Sequence, residues 1–136
     1  MSTDPIDLWG DLPATSGAQT PVGLLRSQAE LLTKKANGEV IGNVVSVRHS
    51  TEMFVYDFRI EIPGLQYSFH LIRLRYPPYG YPLTVEDYDG QRHECQDEAT
   101  YHAALHELFT NPKTRSIVAS LRAESVGAPQ SDDIPF

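Results

Sequence analysis

Two neighbouring segments with strand periodicity constrain the fold of this chain more than any other feature of its sequence. From Phe54 to Ile62, large apolar residues alternate with mostly polar ones. A second segment runs from Tyr67 to Tyr76 and is joined to the first through Pro63-Gly64, a dipeptide with turn chemistry. Alternation with a period of two is typical of a strand with one buried face. The two segments therefore predict an antiparallel hairpin.

The same alternation assigns side chains to the faces of this hairpin. In the second strand it places Phe69 and Leu71 on one face and the other apolar residues on the opposite one, namely Ile72, Leu74 and Tyr76. Arg73 and Arg75 share a face and could pair with charged residues of the first strand, among them Asp57. We expect such pairs to be ordinary surface electrostatics.

Further strands are expected on both sides of the hairpin. The run from Val40 to Val47 is rich in β-branched residues, and alternation resumes from Tyr81 to Val85. Asp89-Gly90 predicts a two-residue turn into a short strand, Gln91 to Cys95. The prolines of the Tyr76–Pro82 stretch exclude a central strand there and predict a loop. The sequence thus predicts a meander of four or five strands, with closure into a barrel left open.

Helical periodicity flanks the predicted sheet. Thr20 before Pro21 has the pattern of a helix N-cap, and Asn37-Gly38 has that of a helix end. Between them an apolar stripe recurs at helical spacing: Val22, Leu25, Ala29, Leu32 and Ala36. A second helix is expected from Asp97 and a third after Asn111-Pro112. This order predicts an α+β domain with helices packed on one sheet face.

Length and composition favour one domain. The chain has 136 residues, of which 40% are apolar, enough for one core and too few for two ordinary domains. We expect a disordered acidic arm at 1–20, the domain at 21–125 and a flexible tail at 126–136. The absence of a long apolar run argues against membrane insertion, and the N-terminus has no secretory pattern. With the lone Cys95, which fits a reducing compartment, these features predict a cytoplasmic protein.

The charge balance argues against general attraction to nucleic acid. The net charge is -7, from 18 acidic and 11 basic residues. All Lys and Arg lie between Arg26 and Arg122, so the ends of the chain carry the excess acid. An acidic chain gains no general attraction to phosphate backbones.

The C-terminal segment Ser131–Phe136 combines two acids, an apolar pair and a final aromatic residue. Phe136 offers a ring and a carboxylate together, which an apolar pocket edged by Arg or Lys can bind. Pro135 restricts the backbone and so reduces the entropy lost on binding. Asp132 and Asp133 favour a basic partner surface and predict binding that weakens with salt. The segment is therefore predicted to be a docking peptide.

The order Asp132-Asp133-Ile134-Pro135-Phe136 resembles the C-terminal tip of bacterial single-stranded DNA-binding proteins. The resemblance covers the tail alone, since the oligonucleotide-binding barrel of that family is not recognisable in the remainder. In that family the tip binds replication, recombination and repair proteins rather than DNA. The resemblance implies that Phe136 is the anchor, that Ile134 and Pro135 make apolar contacts and that both aspartates make electrostatic ones.

Two secondary binding regions are candidates. Trp9 lies in an acidic and apolar segment that would fold onto a partner or pack back on the domain. Tyr79 and Tyr81 lie in the proline-rich loop, where their rings either form a contact surface or cover the edge of the core. Arg73 and Arg75 would join these tyrosines in a surface for single-stranded DNA if the chain bound it directly.

Catalytic and metal chemistry have weak support in the sequence. His102 and His106 have helical spacing, with His93 and Cys95 as further candidate ligands, but the glutamate of a metalloprotease helix is replaced by Ala103. Phosphate-binding loops, nucleophile elbows and dinucleotide fingerprints are absent from the sequence. We therefore expect neither a cofactor, nor a metal, nor enzymatic activity.

Three functions remain as hypotheses. The first is a non-enzymatic adaptor or competitor whose C-terminal tip docks onto proteins of DNA replication, recombination or repair. The second is a divergent single-stranded DNA-binding protein, and the third is a small acidic immunity or antitoxin-like inhibitor of a basic enzyme.

Overall fold

The structure is a computed structural model that describes Leu8, residues 20–47 and residues 52–127. Its elements are α1 (Pro21–Lys35), β1 (Ile41–Ser46), β2 (Phe54–Ile62), β3 (Tyr67–Tyr76), β4 (Leu83–Asp87), β5 (Arg92–Cys95), α2 (Glu98–Thr110) and α3 (Pro112–Gly127). The α+β prediction, with one N-terminal helix, an antiparallel meander and two C-terminal helices, is confirmed. The expected disorder at 1–20 and 126–136 falls mostly on residues outside the described ranges. The exceptions are Leu8, Thr20 and the end of α3, which continues to Gly127.

The ends of α1 follow the predicted signals. The Thr20 side chain accepts a hydrogen bond from the Gly23 N–H at 3.0 Å and caps the helix, and Pro21 occupies the first turn. After the helix, Asn37 and Gly38 adopt positive φ angles of 54° and 75°. A residue that tolerates this left-handed conformation is required to reverse the chain at a helix end.

The five strands form one antiparallel sheet in which their order follows the chain, from β1 to β5. β1 and β5 are its two edges, so the sheet is open. α1 packs closely on β1 because Gly42 has no side chain. A Cβ atom there would lie 2.6 Å from the carbonyl oxygen of Ala29.

The pairing of β2 with β3 contains a bulge. Phe58 pairs with Ile72, whereas the next residue, Arg59, pairs with His70, so Leu71 has no partner of its own. Leu71 and Ile72 are both buried, with 2% and 0% of their surface exposed. The prediction that the apolar residues of β3 divide between two faces is therefore wrong. One extra residue shifts the alternation by one position and lets both apolar sets enter the core.

The hairpin between β4 and β5 also differs from its prediction by one residue. The Asp87 N–H donates to the Gln91 carbonyl at 2.9 Å, which leaves three residues in the loop instead of two. Gly90 adopts a positive φ of 84°, as the last position of a three-residue hairpin loop requires. The Asp87 carboxylate accepts the N–H groups of Asp89 and Gln91 at 2.9 and 3.0 Å. These bonds close the loop.

The core lies between the sheet and the three helices. Its largest fully buried side chains include Tyr101, Phe58, Leu25, Ile60, Ile72 and Leu74. Two contacts tie the C-terminal helices to the N-terminal part: the Tyr101 hydroxyl donates to the Pro21 carbonyl at 2.8 Å, and Arg122 donates to the Glu39 carboxylate from two nitrogens. None of the described helices is long and apolar enough to cross a bilayer.

Candidate functional site

The principal candidates from the sequence fall on residues outside the described ranges. These are Trp9 in the N-terminal arm and the five residues of the tip: Asp132, Asp133, Ile134, Pro135 and Phe136. Their roles stay predictions. The described part of the chain does show the other candidates, which lie on β3 and in the loop that follows it.

The two tyrosines of the β3–β4 loop have different environments. Tyr79 has 80% of its surface exposed, so its ring is available to a partner. Tyr81 is half-buried, and its ring meets that of Tyr101 edge-on with centroids 6.4 Å apart. Burial, with the nearby Glu98 carboxylate, raises the pKa of Tyr81. Tyr81 therefore covers the core, and Tyr79 alone of the two offers a contact surface.

Arg73 belongs to a network centred on Asp57, on the sheet face opposite to the helices. Arg73 donates to both carboxylate oxygens, from Nε at 2.8 Å and from a terminal nitrogen at 3.1 Å. His70 Nε2 lies 3.1 Å from the same carboxylate, and a terminal nitrogen of Arg59 lies 3.6 Å from it. Asp57 is 2% exposed, so the expectation of ordinary surface electrostatics is wrong for this pair. The long side chains of its partners cover the carboxylate on a face that alternation alone marks as polar.

The network keeps Asp57 ionised. Burial by itself would raise the pKa of Asp57, but the hydrogen bonds from Arg73 and the electrostatic interactions with His70 and Arg73 outweigh burial and lower it. The hydrogen bond to Asp57 correspondingly raises the pKa of Arg73. A bidentate pair of this kind fixes the guanidinium in one orientation. Arg73 is therefore a structural residue of the sheet.

Arg75 and Arg92 flank a second carboxylate on the same face. The Glu86 carboxylate lies 3.7 Å from an Arg75 nitrogen and 3.2 Å from Arg92 Nε. The arginines that could contact a phosphate backbone are thus already paired with carboxylates of the sheet. Contacts to phosphates would need these pairs to separate, and this lowers the gain from neutralising a nucleic acid.

A cleft of about 800 Å³ lies between α1 on one side and α2 with α3 on the other. The sheet forms its floor with Phe58, Ile60 and Leu71. Further apolar side chains line its walls: Leu24, Leu31, Leu32, Leu105, Phe109 and Val118. The size and the apolar walls are typical of ligand and peptide sites.

Basic side chains stand around this cleft. Lys35, Arg115 and Arg122 line it together with His102 and His106, and no carboxylate belongs to its lining among the described residues. This differs from the whole chain, in which acidic residues outnumber basic ones by 18 to 11. The cleft therefore favours a ligand that combines apolar groups with negative charge.

The sequence of α1 contains a second row of residues that indicates the cleft and that lies outside the predicted apolar stripe. Leu24, Gln28, Leu31 and Lys35 recur at helical spacing beside the stripe that packs on the sheet. All four line the cleft, and Leu31 is 44% exposed. Two leucines in a row beside the buried stripe of a helix, one of them well exposed, indicate a surface with a further partner.

The candidate metal and nucleophile residues do not converge on one site. His93 Nε2 lies 3.1 Å from the Asp87 carboxylate, and the Cys95 thiol donates weakly to the His93 carbonyl at 3.8 Å. Burial, followed by the charge of Asp97, raises the pKa of Cys95 and disfavours its thiolate. Within the described ranges, no group of three or more His, Cys, Asp or Glu is placed to hold a metal ion.

Comparisons with protein-family models, curated proteins and solved structures found no match to this chain.

Proposed function

We propose that this chain is a non-enzymatic adaptor or competitor that presents Asp132–Phe136 to proteins that bind the tip of bacterial single-stranded DNA-binding proteins. The observation that carries the proposal is the order of acids, Ile, Pro and Phe in Asp132–Phe136. The setting is the cytoplasm of a bacterium, where such proteins act in replication, recombination and repair.

Features of the folded body support recruitment over direct DNA binding. Asp57 holds Arg73 in a bidentate pair, and Glu86 lies beside Arg75 and Arg92. A phosphate backbone would therefore have to compete with these carboxylates for the arginines of the sheet face. A body that contacts one protein while the tip contacts another raises the local concentration of each, so a weak tip suffices.

The test is competition for proteins that accept the tip. A fluorescein-labelled peptide of Ser131–Phe136 is bound to purified tip-binding proteins, and its anisotropy is followed as the intact chain is added, after mass spectrometry has shown that Phe136 is the last residue. We expect displacement at micromolar concentrations and, after deletion of Phe136, a loss of at least about tenfold in affinity.

The matched control is Ser131→Ala, which keeps the length, the charges and the aromatic residue. It should displace the peptide as the intact chain does, and higher salt should weaken the binding of the labelled peptide itself. Failure of the intact chain to displace the peptide would reject the proposal, as would equal displacement by the chain that lacks Phe136.

Direct binding of single-stranded DNA is a second candidate because Tyr79 presents an exposed ring that could stack on a base. Its test is anisotropy of a labelled oligonucleotide at low salt with the intact chain and with Tyr79→Ala. Binding that Tyr79→Ala weakens would favour this candidate, and no binding at low salt would exclude it.

A further inference from the structure

We propose that the cleft between α1 and the α2–α3 pair binds the chain's own segment Ser131–Phe136, so that the body holds the docking peptide until a partner displaces it. The inference rests on the proposed function for the role of the segment. The features that carry it belong to the cleft itself.

The chemistry of the cleft matches that of the segment. The walls offer Leu24, Leu31 and Phe109, which keep accessible surface above an almost fully buried floor, to the apolar residues Ile134–Phe136. An aromatic and a branched side chain that leave water for such walls gain free energy in proportion to the apolar area they bury. Pro135 fixes its own φ and biases Ile134 towards extended geometry, which reduces the entropy lost on docking.

The charges are also complementary. Lys35 projects from α1 and Arg115 from α3, and neither forms an ion pair with another described residue. Arg122 stands beside them, paired with Glu39. Asp132–Asp133 would bring two carboxylates to a lining that has none of its own among the described residues. Opposite charges on the two surfaces favour this docking, and the apolar residues of the segment distinguish it from acidic segments that lack them.

The distance to the cleft is compatible with the length of the tail. α3 ends at Gly127, and at about 1.5 Å per residue Arg115 lies about 18 Å back along the helix. The six residues Ser131–Phe136 span about 20 Å when extended at about 3.3 Å per residue. The preceding residues 128–130 are available for the reversal and include Pro129. A tail folded back along α3 therefore reaches the length of cleft between Arg122 and Arg115.

The acidic N-terminal segment Asp4–Leu12 is the other part of this chain with suitable chemistry. Leu8 lies at its centre and is 89% exposed, so this apolar side chain lies outside the cleft. The C-terminal segment is assigned as the occupant on its paired acids, its apolar end and its reach along α3.

The experiment measures binding of the fluorescein-labelled Ser131–Phe136 peptide to the chain itself, with no other protein present. The chain from which only Phe136 is deleted should bind the peptide saturably and more weakly at high salt. The intact chain should bind it about tenfold more weakly, because its own tip competes at an effective concentration near the millimolar range.

Charge reversal locates the binding. Lys35→Glu with Arg115→Glu, introduced into the Phe136-deleted chain, should weaken peptide binding about tenfold. The matched control is Lys34→Glu with Lys113→Glu, which makes the same charge change in α1 and α3 at positions that do not line the cleft. Circular dichroism confirms that both double variants stay folded.

Three results would overturn the inference: no saturable binding by the Phe136-deleted chain, equal binding by the intact and deleted chains, or equal weakening by the two double variants. Tighter binding of an Asp4–Leu12 peptide than of the tip peptide would assign the cleft to the N-terminal segment and would also reject the inference. The assay contains no tip-binding protein, so its failure leaves the proposed function standing, and failure of the proposed function leaves this result unchanged.

Discussion

Replacing Arg73 with Met tests whether the buried ion network on the sheet holds the domain together. The substitution keeps an unbranched stem on β3 but removes the two hydrogen bonds, 2.8 and 3.1 Å long, that Asp57 receives. Asp57, which is 2% exposed in the intact chain, would then have weaker compensation. The expected result is a lower free energy of unfolding.

The magnitude follows from the contacts that remain. Removing one partner of a fully buried ion pair lowers stability by about 3–5 kcal/mol. Here His70 and Arg59 still lie 3.1 and 3.6 Å from the carboxylate, and the Arg73 side chain is 31% exposed. We therefore expect Arg73→Met to lower the free energy of unfolding at pH 7 by about 2–3 kcal/mol.

The effect should also depend on pH. The folded state lowers the pKa of Asp57 below its ordinary 3.8, so the stabilisation from its carboxylate is present above that value. This stabilisation is lost as the pH falls through the lower folded-state pKa. The difference in the free energy of unfolding between the intact chain and Arg73→Met should therefore shrink as the pH falls from 7 to about 3.

The assay is urea unfolding followed by circular dichroism at both pH values, with Arg92→Met as the matched control. The Arg92 side chain is 68% exposed and meets Glu86 at 3.2 Å, so its loss should lower stability by at most about 0.5 kcal/mol. Equal effects of the two substitutions at pH 7 would refute the reasoning. A difference that stays the same at low pH would refute the role of the Asp57 charge.

Three further predictions concern packing and reactivity. Gly42→Ala should lower the free energy of unfolding by about 1–3 kcal/mol because its Cβ would lie 2.6 Å from the backbone of α1, whereas Gly127→Ala, with no atom within 4 Å of the new Cβ, should leave thermal stability unchanged or slightly raised. Tyr81→Ala should lower the midpoint of urea unfolding by removing a ring packed on the buried tyrosine of α2, and Tyr79→Ala, at a position 80% exposed, should not. Cys95 is buried with a raised pKa, so a chromogenic disulfide reagent should react with it only in denaturant, and rapid reaction of the native chain would contradict its burial.

The sequence predicted the elements well because their signals are local. A Thr-Pro start and an Asn-Gly end defined α1, and Pro63-Gly64 defined the turn between β2 and β3. A loop with one extra residue at Gly90, or a bulge at Leu71, changes the register without changing composition. Alternation therefore finds a strand but not the position at which its faces exchange.

The site was less accessible to sequence reasoning because it depends on distances between elements. Nothing near Asp57 in the sequence shows that Arg73 and His70 converge on it, and the bulge between them contributes to that geometry. The cleft likewise exists only because α1 and α3 pack on the same sheet face without filling the space between them. Periodicity identified the helices but not the separation between them.

The order of strands in the sheet has a consequence for how the domain folds. Each strand pairs with the next one along the chain, so the loops that must close are short and the entropy lost in closing them is small. The bonds from Tyr101 to Pro21 and from Arg122 to Glu39 span 80 and 83 residues instead. During synthesis, the meander and α1 are complete before either bond has its C-terminal partner. The apolar floor formed by Phe58 and its neighbours therefore stays uncovered until the last two helices have left the ribosome.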